Sequence, residues 1–169
     1  MDLNQRYRAQ VELMLQVLPI LEQVNINNNG NPIFALKGGT AINLFVRDMP
    51  RLSVDIDLAY LPIQERSKSL LEIGDCLAKY AIRIKELIFG VSVHEKKTVK
   101  DKRLNKLLVQ RNEAVIKIEP NEILRGSVFA PEELELSPAV ENEFGLEMSL
   151  LVSSFADINP ALMIFAKNH

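Results

Sequence analysis

The stretch KGGTAINLFVRDMPRLSVDIDLAY, residues 37–60, determines the fold of this chain and the chemistry that it can carry. Its last seven residues, VDIDLAY, alternate between apolar and other side chains with the period of two that is typical of a β-strand. The apolar positions therefore share one face of the predicted strand, residues 54–60. Asp55 and Asp57 emerge side by side on the opposite face.

This pair of aspartates is the most informative feature of the sequence. Two carboxylates held side by side repel each other, and such a pair is tolerated when a cation lies between them or when water solvates both. Aspartate is also depleted in strands. The pair formed by Asp55 and Asp57 therefore indicates either a metal site or the solvated face of an edge strand. Magnesium is the first candidate, because it commonly binds one or two carboxylates together with substrate phosphates.

A glycine turn precedes the aspartate strand. A short apolar strand over Ile33–Leu36 is followed at once by the turn and then by a short helix over residues 41–46. Backbone N–H groups at such a turn and the helix N-terminus can hold a phosphate, although a plain structural turn explains the same pattern. The spacing is neither a Walker loop nor a dinucleotide fingerprint. The candidate phosphate-binding residues are Lys37, Gly38, Gly39 and Thr40, of which Thr40 is also a plausible helix cap.

A third carboxylate lies further along the chain, in the segment VIKIEP, residues 115–120. Glu119 shares a strand face with Lys117 by the period of two. It could bind a metal ion or accept a proton from an attacking hydroxyl, or the two residues could form a surface ion pair. Two polar residues just before the aspartates complete the candidates: Arg51 could pair with a phosphate or a carboxylate, and the Ser53 hydroxyl could share the face of Asp55.

The remaining elements predict an α+β domain with a mixed sheet. Apolar periodicity predicts a helix from Asn4 to about Val24, kinked or interrupted at Pro19, and a long helix over Gln64–Phe89. Predicted strands follow in the second half of the chain. Three of them form a meander over residues 91–99, 103–110 and 114–120, and one or two more fall within 127–136 and 146–153.

Composition indicates an ordinary globular domain. The chain has 169 residues, of which 47% are hydrophobic and 25% charged, and its net charge of −2 argues against a surface that binds nucleic acid throughout. The basic run HEKKTVKDKR, residues 94–103, is either a solvated hairpin or a contact for a polyanion. Cys76 is the only cysteine, which excludes an internal disulfide. A polar N-terminus and the lack of a membrane-length apolar run predict a cytoplasmic protein without membrane association.

Taken together, these motifs resemble the AbiEii/AbiGii toxin family of the DNA polymerase beta-like nucleotidyltransferase superfamily. That family shows a lysine-glycine-glycine-threonine turn, a short helix, and then arginine-x-serine-x-aspartate-x-aspartate before an apolar residue. Residues 37–40 match the turn, and Arg51, Ser53, Asp55 and Asp57 match the second part. VIKIEP resembles the later strand that supplies a third acidic residue, which would be Glu119.

The resemblance implies a nucleotidyltransferase-like mixed β-sheet flanked by helices, with a nucleoside triphosphate and two Mg2+ ions as ligands. Known members are toxins of toxin–antitoxin or phage-defence systems, and some transfer nucleotides to the 3′ end of transfer RNA. The implied partners are a triphosphate, tRNA or another RNA acceptor, and an antitoxin protein. The implied catalytic and metal-binding residues are Asp55, Asp57 and Glu119. The implied triphosphate-binding residues are Lys37, Gly38, Gly39, Thr40, Arg51 and Ser53.

The end of the chain departs from the family pattern. Ser154-Phe155-Ala156-Asp157 matches a family segment, but the following residues INPALMIFAKNH do not place Lys167 at the expected offset. We therefore expect residues 1–169 to form a single domain that lacks the helical C-terminal region of the family. A missing helical layer would expose apolar surface and favour a homodimer. The alternative to an active toxin is a truncated, inactive remnant that keeps the fold and binds nucleotide or a partner protein.

Overall fold

The computed structural model describes residues 5–41, 55–125 and 130–153. Its helices are α1 (Gln5–Val24), α2 (Gly38–Ala41), α3 (Arg66–Leu87) and α4 (Pro138–Phe144). Its strands are β1 (Phe34–Lys37), β2 (Ile56–Tyr60), β3 (Ser92–Lys97), β4 (Leu104–Arg111), β5 (Ala114–Arg125), β6 (Glu132–Glu135) and β7 (Ser149–Val152).

The strands form one seven-stranded mixed sheet in the order β3-β4-β5-β2-β1-β7-β6. The predicted meander is confirmed, because β3, β4 and β5 pair with their chain neighbours in antiparallel fashion. Strand β2 lies antiparallel to β1 and parallel to β5. The expected mixed sheet flanked by helices is therefore confirmed, and β2 occupies its centre.

Helices α1 and α3 pack against each other and against one face of the sheet. The core between them is aliphatic, with fully buried side chains such as Leu13, Ile73 and Leu77 on the helices and Ile56 and Ile118 on the strands. Burial of each such side chain stabilises the fold by about 1.5–3 kcal/mol. Because side chains alternate along a strand, the residues next to Ile56 and Ile118 in the chain emerge on the opposite face of the sheet, which carries the charged residues.

Two local predictions differ from the structure. Of the kink or interruption predicted at Pro19, the interruption is wrong, because α1 runs unbroken from Gln5 to Val24. The buried side chains on both sides of the proline, Leu18 and Ile20, hold that turn against the core and outweigh the lost backbone hydrogen bond. Helix α4 was not predicted, although it has Pro138 in its first turn and Gly145 in the left-handed conformation at its end, both common helix-boundary signals.

The observed bounds of two strands differ from the predicted bounds by one to five residues at each end. The predicted strand over residues 127–136 is observed as β6, residues 132–135, and the one over 146–153 as β7, residues 149–152. Residues 126–129 lie outside the described residues. The short helix predicted for residues 41–46 begins earlier, at Gly38, and its residues after Ala41 are not among those described. In the described ranges, no helix combines the length and the apolar character needed to cross a membrane.

Asn25 completes the hydrogen bonding of β1. The backbone N–H of Leu61 donates to the carbonyl of Ile33 at 2.9 Å, so the backbone groups of the next residue, Phe34, point away from β2. The buried Asn25 side chain forms hydrogen bonds with both the N–H and the carbonyl of Phe34. Its Oδ1 accepts from the Phe34 N–H at 2.7 Å, and its Nδ2 donates to the Phe34 carbonyl at 2.6 Å. One side chain therefore takes the place of a neighbouring strand at the first residue of β1.

We expect Asn25→Ala to lower the free energy of unfolding by about 2–3 kcal/mol, because two buried backbone groups lose their partners. Urea denaturation followed by circular dichroism measures this loss. Asn29→Ala is the matched control, since the Asn29 side chain is exposed, and it should change stability by less than about 0.5 kcal/mol. Equal effects of the two substitutions would contradict the role assigned to Asn25.

Candidate active site

The aspartates lie at the centre of the sheet, not at an edge. Strand β2 has three strands on each side, so the interpretation of the pair as the wet face of an edge strand is wrong. The predicted alternation is confirmed for the described residues, because Ile56 and Leu58 are buried whereas Asp57 is only partly buried. Asp55 directly precedes the strand and is also partly buried.

Sheet pairing brings the predicted site residues into one row. Asp57 lies opposite Lys37 on β1 and opposite Glu119 on β5. Directly opposed residues project from the same face of a sheet, with Cβ atoms about 4.5–5.5 Å apart. Although Asp57 and Glu119 are 62 positions apart in the chain, as the difference of their residue numbers shows, the parallel ladder places them side by side.

The glycine turn closes onto Asp57. Gly38 has φ +81°, and a Cβ added there would lie 2.8 Å from Asp57 Oδ2. Only glycine tolerates both this left-handed backbone and so close an approach. Gly39 follows as an exposed residue of α2. The backbone of the turn is therefore in direct contact with one of the two aspartates, as phosphate and cation binding at one place would require.

Two lysines join the acidic side chains. The Lys117 ammonium lies 3.4 Å from Asp55 Oδ2 and 3.2 Å from Glu119 Oε2. Lys106 on β4 lies 3.3 Å from the other carboxylate oxygen of Glu119. The sequence placed Lys117 on the face of Glu119 but did not reveal its contact with Asp55. Nothing in the sequence signalled Lys106, because its position depends on how β4 pairs with β5.

The two opposed carboxylates have opposite pKa shifts. Burial raises the pKa of Asp57, and the negative charges of Asp55 and Glu119 raise it further. Burial would also raise the pKa of Glu119, but hydrogen bonds from Lys117 and Lys106 outweigh it and lower that pKa. The Asp57 carboxylate is thus poorly compensated by the protein, and a bound cation would relieve that imbalance.

The described residues fit a cation held by two carboxylates better than one held by three. Among residues 5–41, 55–125 and 130–153, no group of three or more His, Cys, Asp or Glu side chains has a metal-binding arrangement. The Lys117 ammonium instead connects Glu119 to Asp55. Asp55 and Asp57 nevertheless supply the hard oxygen ligands that magnesium prefers, and magnesium commonly completes its coordination with substrate phosphates and water.

An open cleft of about 410 Å³ lies beside these residues. This volume is in the range of small-molecule sites. Its lining residues are Lys37, Asp57, Asn105, Glu119, Pro120, Asn121 and Glu122. The sequence analysis missed Asn105, Asn121 and Glu122, since only the folding of β4 and β5 brings them to the cleft.

Several predicted residues fall where the structure gives no description. Arg51 and Ser53 lie outside the described residues, as do Ser154–Asp157 and Lys167. The backbone of Thr40 is part of α2, but its side chain is not described. The roles predicted for these residues stay predictions.

Comparison with known proteins relates this chain to a protein family and to solved structures. A family model described as "Nucleotidyl transferase AbiEii toxin, Type IV TA system" matches residues 20–158. Among solved structures, MenT4, a nucleotidyltransferase toxin from Mycobacterium tuberculosis H37Rv, matches with a TM-score of 0.59 at 18% sequence identity. That match covers 90% of this chain and 51% of MenT4, so the chain spans about half the length of its structural relative. At this identity the likeness concerns the fold alone. No curated protein matches the chain.

Proposed function

The chain belongs to the AbiEii family of nucleotidyltransferase toxins, and on this premise we propose that it transfers a nucleotide from a nucleoside triphosphate to an acceptor hydroxyl. The observation that carries the proposal is the alignment of Asp57 with Glu119 across the sheet, beside the turn at Gly38. Carboxylates lie together at one cleft next to the glycine turn, and this arrangement supports cation and phosphate binding there. A toxin of a toxin–antitoxin or phage-defence system would use such a site to modify an essential acceptor.

The proposed chemistry forms a bond from the acceptor oxygen to the α-phosphorus, breaks the bond from the α-phosphorus to the oxygen that bridges it to the β-phosphorus, and releases pyrophosphate. The proton of the acceptor hydroxyl passes to solvent water. Lys37, Gly38, Gly39 and Thr40 would bind the β- and γ-phosphates, with help from Arg51 and Ser53. Asp55 and Asp57 would hold divalent cations, two Mg2+ ions in our proposal, while Glu119 stays paired with Lys117 and Lys106 beside them. Bound there, magnesium would neutralise triphosphate charge and acidify the acceptor hydroxyl.

The pKa shifts distinguish the roles of the carboxylates. A group with a raised pKa is the better proton acceptor. The lowered pKa of Glu119 therefore favours the ionised form paired with Lys117 and Lys106 over the alternative role of Glu119 as the base. Lys37 lies opposite Asp57 on β1, where its charge would stabilise negative charge that develops on the transferred phosphate.

Incubation of the protein with each labelled triphosphate, magnesium and total RNA tests the proposal. We expect label in RNA and release of pyrophosphate in equal amounts. Isothermal titration with the same triphosphates is the companion measurement. Binding without any transfer would contradict the proposed activity and support the alternative, an inactive remnant that keeps the fold and binds nucleotide or a partner.

RNA, with tRNA as the first candidate, is our proposed acceptor, because a basic hairpin leads to the site. Lys96 on β3 pairs with Lys106 on β4, which contacts Glu119. The neighbouring Lys97 and Lys100 are exposed. Within the described part of the chain, neither of these two forms an ion pair. These two exposed ammonium groups lie on the hairpin formed by β3 and β4, and we propose them as contacts for RNA phosphates.

We expect the double substitution Lys97→Glu and Lys100→Glu to weaken tRNA binding by about tenfold. The slope of affinity against salt concentration should fall by the amount that corresponds to about two phosphate contacts. Triphosphate binding should not change. Fluorescence anisotropy of labelled tRNA measures both effects. Affinities measured between about 50 and 200 mM salt give the slope of affinity against salt concentration, which reports the number of phosphate contacts. Lys79→Glu with Lys85→Glu on α3 is the matched control. If both double variants bind tRNA equally, the hairpin is not the acceptor surface.

The family description also names a toxin–antitoxin system. We therefore propose a cognate antitoxin as partner and the cytoplasm, where triphosphates and RNA are available, as the place of action. Homodimer formation stays a prediction, which light scattering of the purified protein would test.

A further inference from the structure

Lys117 is placed between two carboxylates that the proposed reaction needs. It lies on β5 two residues before Glu119, and the pairing of Ile56 with Ile118 sets it beside Asp55 on the neighbouring strand. Its ammonium is 3.4 Å from Asp55 Oδ2 and 3.2 Å from Glu119 Oε2. One flexible side chain thus connects the two acidic residues.

Lysine side chains lie near each acidic side chain of the described site. The three carboxylates of Asp55, Asp57 and Glu119 carry three negative charges. Three lysines face them: Lys37 opposite Asp57, Lys106 on Glu119, and Lys117 on both Asp55 and Glu119. A dication that approaches Asp55 meets an ammonium already in contact with that carboxylate, and at a few ångströms the repulsion between them is strong.

We propose that Lys117 competes with the divalent cation for the carboxylate of Asp55 and thereby makes cation binding depend on the triphosphate. A bound triphosphate offers the ammonium another anionic partner, and the four-carbon stem of lysine lets it turn from Asp55 toward a phosphate while it stays near Glu119. Cation and triphosphate then bind with positive coupling. This inference rests on the proposed function, because it concerns the same carboxylates.

Binding of Mn2+, measured by electron paramagnetic resonance without nucleotide, tests the competition. We expect Lys117→Met to bind Mn2+ about tenfold more tightly than the unmodified protein, since the competing charge is gone. Lys117→Arg keeps the charge and should bind as weakly as the unmodified protein. Lys106→Met removes a charge that contacts Glu119 but not Asp55, so its gain should be smaller. Lys85→Met on α3 is the control for a distant charge.

A second titration adds a non-hydrolysable triphosphate. The affinity gap between Lys117→Met and the unmodified protein should then shrink, because the ammonium has already left Asp55. Thermal melting provides a readout independent of activity: Mn2+ alone should raise the melting temperature of Lys117→Met more than that of the unmodified protein. If the methionine variant does not fold, the Mn2+ titrations and the thermal melting are carried out with Lys117→Gln instead.

The outcomes separate the inference from the proposed function. The competition would be overturned if Lys117→Met and Lys117→Gln both bind Mn2+ no more tightly than the unmodified protein does. If Mn2+ and triphosphate still bind together in that case, the nucleotidyltransferase proposal stays intact. If the unmodified protein binds no Mn2+ at any triphosphate concentration, both fail. A tighter Mn2+ affinity in the variants and a smaller gap with triphosphate would support the competition.

Discussion

Asp57→Asn should reduce nucleotide transfer by about a hundredfold to a thousandfold, the range seen when a group that stabilises transition-state charge is removed. Asparagine keeps the shape of the side chain but removes the negative charge that would hold a cation beside the glycine turn. Initial rates of labelled triphosphate incorporation measure the loss. The three heavy atoms nearest to a Cβ added at Gly38 all belong to Asp57, so we expect no compensation from neighbouring carboxylates.

The same substitution should not destabilise the fold. Burial and the charges of Asp55 and Glu119 raise the pKa of Asp57, which means that its charged form is disfavoured in the folded state relative to the unfolded state. Above that raised pKa the charge therefore reduces stability, and its removal at neutral pH should leave the melting temperature unchanged or higher. Asp75→Asn, at an exposed position on α3, is the matched control and should retain full transfer. A folded Asp57→Asn variant with undiminished transfer would exclude Asp57 from the site.

The second large effect is expected for Gly38→Ala. Two consequences combine there: the left-handed backbone at φ +81° is strained for alanine by about 1–2 kcal/mol, and the new methyl group would displace the Asp57 carboxylate, whose Oδ2 it would meet at 2.8 Å. A misplacement of about 1 Å in a catalytic group can reduce a rate by about a hundredfold. We therefore expect Gly38→Ala to lose transfer by about that factor and to lose some stability.

Gly90→Ala separates the two consequences. Gly90 has φ +74°, and a Cβ added there would meet nothing within 4 Å. Both variants should lose a similar free energy of unfolding in urea denaturation, but only Gly38→Ala should lose transfer. Equal activity of the two variants would show that the contact between the turn and Asp57 has no catalytic role.

The sequence predicted the parts of the site that depend on local geometry. The period of two assigned Asp57 to the face opposite Ile56 and Leu58, and the structure confirms this because the side chains of a strand must alternate. The same rule assigned Lys117 and Glu119 to one face. Local signals also existed for α4, in Pro138 and Gly145, but its apolar pattern is too short to indicate a helix without them.

Local sequence is enough to establish which side chains share a face of each element, since the backbone of a helix or strand sets that over neighbouring residues. The order of the glycine turn and the aspartates also indicated the family. Which strands are neighbours follows only from the folding of the whole chain. The parallel register of β2 with β5 placed Glu119 opposite Asp57 and Lys117 against Asp55, and the pairing of β4 brought Lys106 to Glu119. Such contacts join residues far apart in the chain and follow from burial of the whole apolar face, which no local pattern encodes.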